Sequence, residues 1–152
     1  MDTSNENFST DMEVLDDQLI HQLYQTMRAF SKTLNNEIFM NGVYSSEWSV
    51  LKMVREHEAI SQLELANALN VEPAAISKTL TKMEKKNLVE RQRLPGKREK
   101  YISLTTYAQK LYLEIEPKVA KHRTLALNDL SKEERQTMLK LAQRIYKNTL
   151  NM

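Results

Sequence analysis

Apolar residues recur at steps of three or four positions through the stretch 14–39, which predicts one long amphipathic helix. The apolar positions are Leu15, Leu19, Leu23, Met27, Phe30, Leu34 and Ile38. Asn41-Gly42 follows and predicts the end of this helix. Ser45 or Ser46 is the expected cap of a second helix, which runs to about residue 58.

Two serines are placed to begin further helices through capping boxes. In a capping box, a hydroxyl and a carboxylate three residues later each satisfy a free backbone N–H group. Ser61 with Glu64 predicts the start of a third helix, and Ser131 with Glu134 predicts the start of the last helix. That last helix continues to about residue 150.

A fourth helix is predicted directly after the third. Residues 70–72 form a short break, and Pro73 suits the first turn of a helix that extends to about Lys86. Two short helices joined by such a turn have helix-turn-helix spacing. Ala66 and Ala68 are small, and we expect them to allow the two helices to cross closely.

A short β-hairpin is the simplest interpretation of the next segment. Residues 89–93 and 101–104 are strand-like, and the turn signal at 94–97 lies between them. From Thr105 the helical period returns. Pro117 is expected to kink or break that helix near the preceding residue.

These elements predict a mainly α fold with a small β-hairpin, organised as a winged helix-turn-helix on a helical dimerisation scaffold. By length, residues 1–152 form a single domain. Within it, 45–104 is the expected winged helix-turn-helix lobe. The stretches 14–40 and 105–150 are the expected helical dimerisation region.

The apolar faces at the two ends of the chain predict a homodimer. The helices at 14–39 and 130–150 cannot easily both be buried around one small winged-helix core. The alternative left open by this pattern is a monomer in which these helices form a cap on the core.

Charge is distributed unevenly along a chain whose net charge is only +2. Residues 1–20 carry six acidic and no basic residues, whereas residues 72–100 carry nine basic and four acidic residues, a net charge of +5. A local basic block suggests a polyanion-binding face. On charge alone, a solvated charged surface is the favoured interpretation, and the case for DNA rests on the elements around the block.

Several classes of function and location are disfavoured by the sequence. The absence of cysteine excludes disulfides and thiolate metal ligands, and it fits a cytoplasmic location. The acidic N-terminal stretch does not have the pattern of a signal peptide, and no apolar run is long enough to cross a membrane. We find no catalytic motif, so no enzyme activity and no cofactor are expected. The three histidines lack metal-site spacing, and no metal is expected.

The second helix of the pair is the candidate DNA-recognition helix. Ile76, Leu80 and Met83 form its expected buried stripe. Small residues, hydroxyls and lysines remain for the outer face, where they can enter a major groove and meet bases and phosphates. These candidates are Ala74, Ala75, Ser77, Lys78, Thr81, Lys82 and Lys85. The candidates on the hairpin are Arg91, Arg93, Lys97, Arg98 and Lys100.

Taken in order, several segments resemble the MarR family of bacterial regulators. The resemblance extends from about residue 15 to about residue 148. Its densest motifs are Ser46-Glu47-Trp48-Ser49-Val50-Leu51, Gln62-Leu63-Glu64-Leu65-Ala66-Asn67-Ala68-Leu69, Ile76-Ser77-Lys78, Met83-Glu84-Lys85-Lys86-Asn87-Leu88-Val89-Glu90-Arg91, Lys97-Arg98, Ile102-Ser103-Leu104-Thr105 and Leu130-Ser131-Lys132-Glu133-Glu134.

Two positions depart from the family pattern. The family's wing usually reads Asp-x-Arg, and here Gly96 stands in place of the Asp before Arg98. The wing is therefore expected to be looser, or to be braced by Glu99 or Glu90. Ala108 stands where the family favours Gly, at little cost because Ala is the better helix former.

The resemblance implies a homodimer that binds a palindromic operator in double-stranded DNA, with repression favoured as the outcome. It also implies a small aromatic or anionic effector, for which His21, Tyr24, Tyr44 and Trp48 are the candidate lining residues. Core packing is the favoured interpretation of Trp48. The rival from another class is a winged-helix protein-interaction module without DNA binding. Such a module usually lacks the basic hairpin that this chain has.

Overall fold

The computed structural model describes residues 3–152, with side chains described from Thr10 onward. Its elements are α1 (Thr3–Ile38), a 3-10 turn (Phe39–Asn41), α2 (Ser45–His57), β1 (Ile60–Ser61), α3 (Gln62–Leu69), α4 (Pro73–Lys85), β2 (Val89–Arg93), β3 (Lys100–Leu104), α5 (Thr106–Ala126) and α6 (Lys132–Leu150). The predicted fold class, mainly helical with a small sheet, is confirmed. The chain divides into two units, 1–119 and 120–152, and each is described by itself.

The first helix begins earlier than its apolar pattern predicted. It starts at Thr3 rather than near residue 14. The apolar spacing in fact continues upstream of Leu15 through Met12 and Phe8, at steps of three and four residues, and the predicted start did not include these positions. No Gly or Pro interrupts residues 3–13, and acidic side chains near a helix N-terminus are favourable. The helix ends as predicted, before Gly42, which has a left-handed φ of 76°.

The start of α2 differs from the prediction that Ser45 or Ser46 caps it. Ser45 is the first residue of the helix, and Tyr44 is its N-cap. The Tyr44 N–H donates to Glu47 Oε1 at 3.0 Å, and the Ser45 N–H donates to Asn35 Oδ1 at 2.6 Å. Because Glu47 and Asn35 satisfy two of the free N–H groups at this helix start, a serine hydroxyl does not serve as its cap.

The helix-turn-helix forms as the capping pattern predicted. The Glu64 N–H donates to Ser61 Oγ and the Ser61 N–H donates to Glu64 Oε2, both at 3.1 Å. Asn70 adopts a left-handed conformation in the turn, and Pro73 lies in the first turn of α4. Ala66 is buried as the close crossing requires. Ala68 is exposed, so its predicted place at the crossing was wrong.

The end of α4 leads directly into the sheet. Asn87 has a positive φ of 58°, and its N–H donates to the Glu84 carbonyl at 2.9 Å. The Leu88 N–H donates to the Met83 carbonyl at 2.9 Å. This pair of bonds is the pattern that commonly ends helices at a left-handed residue. It turns the chain so that β2 starts two residues later.

The predicted hairpin is present as two strands of a three-stranded antiparallel sheet. The strand order is β1-β3-β2. Arg91 pairs with Ile102 in the β2–β3 ladder, and Ile60 also pairs with Ile102, from β1. The sequence did not predict β1, because a strand of two residues has no periodicity to detect. The hairpin turn is closed by the Lys97 N–H, which donates to the Leu94 carbonyl at 3.0 Å.

Among the described residues, the hydrophobic core of the unit 1–119 is formed by side chains between Leu34 and Val119. Its largest fully buried side chains include Ile38, Leu51, Leu65, Leu80, Met83, Ile102 and Ile115. Trp48 stacks on Tyr112 with ring centroids 4.6 Å apart, which joins α2 to α5. Thr105 directly precedes α5 and caps it, because its hydroxyl accepts the Ala108 N–H at 3.0 Å. Helix α4, whose Ile76, Leu80 and Met83 belong to this core, therefore sits on a well-packed base.

Helix α5 is continuous through Pro117, so the predicted break near Glu116 was wrong. Proline removes the hydrogen bond to the carbonyl four residues earlier, that of Leu113. Both Pro117 and Leu113 lie on the exposed face of α5, where water can satisfy that carbonyl.

The unit 120–152 is dominated by α6. The predicted capping box is confirmed: the Ser131 N–H donates to Glu134 Oε2 at 2.7 Å, and the Glu134 N–H donates to Ser131 Oγ at 3.1 Å. No residue of α6 is buried. Its apolar residues, including Met138, Leu141 and Leu150, remain exposed. In the part of the chain that the structure describes, no helix is both long and apolar enough to span a membrane.

Candidate nucleic-acid interface

Helix α4 has one buried face and one outward face. Ile76, Leu80 and Met83 are at most 2% exposed and anchor the helix to the core. The predicted contact residues lie around the rest of the helix. Ala74, Ala75, Lys78, Thr81, Lys82 and Lys85 are exposed, and Ser77 is half-buried. The outward face therefore combines small residues in the first turn with lysines further along.

The hairpin brings more cations beside this helix. We call the β2–β3 hairpin, residues 89–104, the wing. A crevice lies between the wing and the first turns of α3 and α4. Its lining includes Gln62, Pro73, Ser77, Arg93, Arg98 and Lys100. Arg93, Lys97, Arg98 and Lys100 are all exposed. The wing cations thus flank the N-terminal end of α4, the end that approaches base edges in helix-turn-helix proteins.

Arg91 is positioned differently from the other predicted contacts. Its side chain is only 12% exposed and forms an ion pair with Glu84. Its guanidinium also donates to Thr81 Oγ1 at 2.9 Å, to Ser77 Oγ at 3.4 Å and to Gln62 Oε1 at 3.4 Å. The structure therefore turns Arg91 towards the recognition helix.

Neither of the two acidic residues that the sequence analysis named as a brace for the wing, Glu90 and Glu99, forms an ion pair with Arg98 in the described part of the chain. Gly96 has a φ of 75°, and a Cβ built there would have nothing within 4 Å. Space would thus admit a side chain at position 96, and only the left-handed backbone conformation opposes one.

The four candidate effector residues do not converge on one pocket within the described residues. Tyr24 is 62% exposed and lines a groove along α1 with Met27, Arg28 and Lys32. His21 is exposed on the same helix. Tyr44 is 59% exposed and lies below the ammonium of Lys86, 4.7 Å from its ring centroid. Trp48 is 3% exposed and stacked in the core, as the packing interpretation expected.

Two ion pairs support the candidate interface, and the sequence analysis predicted neither of them. Glu84 pairs with Arg91, and Glu47 pairs with Lys86. The pairs are separated by 7 and 39 residues. The partners of each pair lie on different elements, so no spacing within one helix or strand could predict either pair. Among the described residues, no group of three or more His, Cys, Asp or Glu side chains could hold a metal ion.

Comparison with known proteins places this geometry in a family. The family model described as the MarR family matches residues 43–99, the segment from the start of α2 through the wing tip. A curated relative is 35% identical over 125 residues, which are 82% of this chain and 91% of the relative. It is an uncharacterised HTH-type transcriptional regulator, YwoH, from Bacillus subtilis.

Solved structures share the fold at lower identity. A cysteine-to-serine mutant of MarR from E. coli, in complex with operator DNA, is 21% identical with a TM-score of 0.79, over 84% of this chain and 93% of that one. The organohalide-sensing transcriptional regulator RdhR, in ligand-free form, is 17% identical with a TM-score of 0.83, over 90% and 82% of the two chains. With 35% identity to a regulator over most of both lengths, this chain belongs to the MarR family of winged-helix transcription regulators.

Proposed function

We propose that this protein binds an inverted-repeat operator in double-stranded DNA as a homodimer and represses transcription. The observation that carries the proposal is the outward face of α4. Two alanines and a half-buried serine occupy its first turns, and exposed lysines occupy its later turns. Small residues allow close approach to base edges, and lysines further along meet phosphates. The exposed wing cations extend the same basic surface.

Support for the dimer comes from exposed apolar side chains on both terminal helices. On α1, Leu15, Leu19 and Met27 are 54%, 47% and 60% exposed. On α6, Met138 and Leu150 are 54% and 62% exposed. Apolar rows of this length are unusual on a free monomer surface and are typical of subunit interfaces. Two-fold pairing is the commonest way to cover such a surface.

We also propose that a small aromatic or anionic effector weakens DNA binding. The related regulator RdhR has been solved with 2,4-dichlorophenol bound. In this chain, Tyr24 offers an aromatic ring in the α1 groove, and Arg28 and Lys32 offer positive charge beside it. A phenolate would find both kinds of contact there. Titrating chlorinated phenols and benzoates into the protein–operator complex tests this point.

The binding experiment selects duplexes from a random-sequence pool with the purified protein and then footprints the selected DNA. Two recognition helices related by a two-fold axis predict an inverted repeat with half-site centres roughly 34–36 Å apart, about one helical turn. A single short asymmetric site would contradict the dimeric mode. A pool that gains no sequence preference would favour the protein-interaction alternative. A reporter gene placed behind the selected operator then tests repression, and unchanged or increased transcription would contradict it.

A further inference from the structure

Arg91 connects the wing to the recognition helix through every nitrogen of its guanidinium group. From β2, its Nε donates to Glu84 Oε1 at 2.7 Å, and its Nη2 forms the ion pair with the same carboxylate. Nη2 also donates to Thr81 Oγ1, while Nη1 donates to Ser77 Oγ and to Gln62 Oε1 of α3. Arg91, which lies on the wing, thus contacts both α3 and α4, the two helices of the helix-turn-helix.

The partners on α4 form a single stripe. Ser77, Thr81 and Glu84 are spaced by four and three residues, so they lie on one side of the helix. From Ser77 to Glu84 the stripe extends over seven residue steps, or roughly 10 Å of helix length. An attachment at several points along a helix fixes its rotation about its own axis as well as its distance from the wing.

This arrangement leaves Arg91 poorly suited to contact DNA. Its side chain is 12% exposed, and each of its three nitrogens already has a protein acceptor. The Thr81 hydroxyl is also occupied, because it accepts from Arg91 and donates to the Ser77 carbonyl at 3.0 Å. A phosphate could engage Arg91 only by displacing these bonds.

The location of Glu84 also indicates that Arg91 serves as its counterion rather than as a DNA contact. It lies in the last turn of α4, where the helix dipole disfavours negative charge. It also lies among Lys82, Lys85 and Lys86, on a helix that is proposed to meet phosphates. An unpaired carboxylate there would repel DNA, and the ion pair with Arg91 neutralises it.

We propose that Arg91 is a positioning residue, which sets the rotation of the recognition helix against the wing with Glu84 as its counterion. Sequence discrimination therefore depends on Arg91, whereas the general attraction for DNA does not. This inference rests on the proposed DNA-binding function.

The test uses a double variant that leaves the local net charge unchanged. Glu84→Gln with Arg91→Gln removes one negative and one positive charge together. The matched control is Arg93→Gln, two residues along the same strand, where the side chain is exposed. Dissociation constants are measured for the selected operator and for a shuffled duplex over a series of salt concentrations. Circular dichroism and light scattering establish that each variant keeps the fold and the oligomeric state of the wild type.

The double variant is expected to bind the shuffled duplex within about twofold of wild type, with the same salt slope, because it loses no phosphate contact. Its preference for the operator should fall by at least about fivefold, because the base-reading residues are no longer aligned. Arg93→Gln should flatten the salt dependence of binding by about one unit per lost phosphate contact. Its preference for the operator over the shuffled duplex should stay unchanged. A double variant that behaves like Arg93→Gln, or that retains full preference, would overturn the inference.

Arg91→Lys provides a second test that does not depend on the fold of the double variant. Lysine keeps the charge and can still pair with Glu84, but it has no planar fork with which to engage Thr81 and Ser77 together. We expect reduced operator preference with a wild-type salt slope. Full preference in Arg91→Lys would contradict positioning by the guanidinium. A wild-type protein that does not distinguish operator from shuffled DNA would instead refute the proposed function itself.

Discussion

The ammonium of Lys86 lies 2.7 Å from Oε1 of Glu47, and this ion pair joins the end of the recognition helix to the start of α2. Lys86 also donates to the Gly42 carbonyl at 3.1 Å and lies over the Tyr44 ring. Glu47 in turn accepts the N–H of Tyr44, the N-cap of α2. The C-terminal end of α4 is therefore fastened to the junction between α1 and α2, independently of the wing.

Replacing Glu47 with Gln is expected to lower the free energy of unfolding by about 1 to 2 kcal/mol, between the values for buried and surface ion pairs. The intermediate value follows from burial, because the Glu47 side chain is 5% exposed and the Lys86 side chain 34%. Gln keeps an oxygen that can accept the Tyr44 N–H, so the substitution mainly removes the charge. Urea denaturation at one fixed protein concentration measures the change.

The matched control for this prediction is Glu56→Gln. Glu56 lies 4.0 Å from Lys52, and both side chains are largely exposed, at 53% and 39%. Its removal should change stability by less than about 0.5 kcal/mol. Equal changes in the free energy of unfolding would show that the Lys86–Glu47 pair stabilises the fold no more than a surface ion pair does.

The second prediction concerns assembly. Light scattering at micromolar concentration should give about twice the chain mass of 17.8 kDa. Leu19→Glu would place a charge in the exposed apolar row of α1 and should shift the protein towards monomer. Leu94→Glu, at an exposed apolar position on the wing, should not. A wild-type monomer at this concentration would contradict the architecture and weaken the operator proposal with it.

A third prediction separates the reading of bases from the attraction to phosphates along α4. Ala75→Leu should change which sequences are preferred, because a bulky side chain in the first turn alters the approach to base edges. Lys82→Ala should weaken binding to all sequences alike and flatten the salt slope by about one unit per lost contact. Affinities for a panel of operator variants at several salt concentrations distinguish the two effects. If Lys82→Ala altered sequence preference and left the slope intact, the helix would lie differently on DNA.

The fourth prediction concerns the wing. Arg98 is exposed and unpaired by Glu90 or Glu99, so it is free to enter the minor groove beside each half-site. Arg98→Ala should cost at least about 1 kcal/mol of binding per half-site. Arg98→Lys should recover only part of this loss, because a compact ammonium loses more hydration in a narrow groove. Operator affinity at one salt concentration measures both, and wild-type binding by Arg98→Ala would mean that the hairpin does not read DNA.

Gly96→Asp restores the acid that the family usually has in the wing. The left-handed φ of 75° makes this substitution a cost to folding of about 1 to 2 kcal/mol, although Asp tolerates such a conformation better than most residues. Because an Asp at position 96 can brace Arg98 and order the wing before it meets DNA, operator affinity should rise or stay unchanged while thermal stability falls. Weaker binding would show that the wing must change its backbone on DNA.

The elements of this fold were predictable where a local pattern reports a buried face or a satisfied backbone group. The apolar steps of α1 and the capping boxes at Ser61 and Ser131 are such patterns, and each led to the correct helix. Strand β1 was missed because a two-residue strand is defined by its partner, Ile102, and that partner lies 42 residues away. The cap of α2 was misplaced for the same reason, since Asn35 reaches it from another helix.

The candidate site shows the same limit. The charge block and the small residues of α4 indicated the candidate DNA-binding segment, because those properties belong to the segment itself. The role of Arg91 could not be predicted from them, because an arginine on a basic hairpin has the same sequence signature whether it faces a phosphate or Glu84. Its ion pair is formed by tertiary structure, across the turn that joins α4 to β2.

The most direct test of the central claim is the ratio of dissociation constants for the selected operator and for a shuffled duplex of equal length. We measure it by fluorescence anisotropy with the wild-type protein at about 150 mM salt, since protein–DNA affinities have meaning only at a stated salt concentration. The account predicts a ratio of at least about 1,000, the lower end for specific DNA-binding proteins, with two chains bound per operator. Equal affinity for the two duplexes would contradict it and would favour a winged helix that binds protein instead.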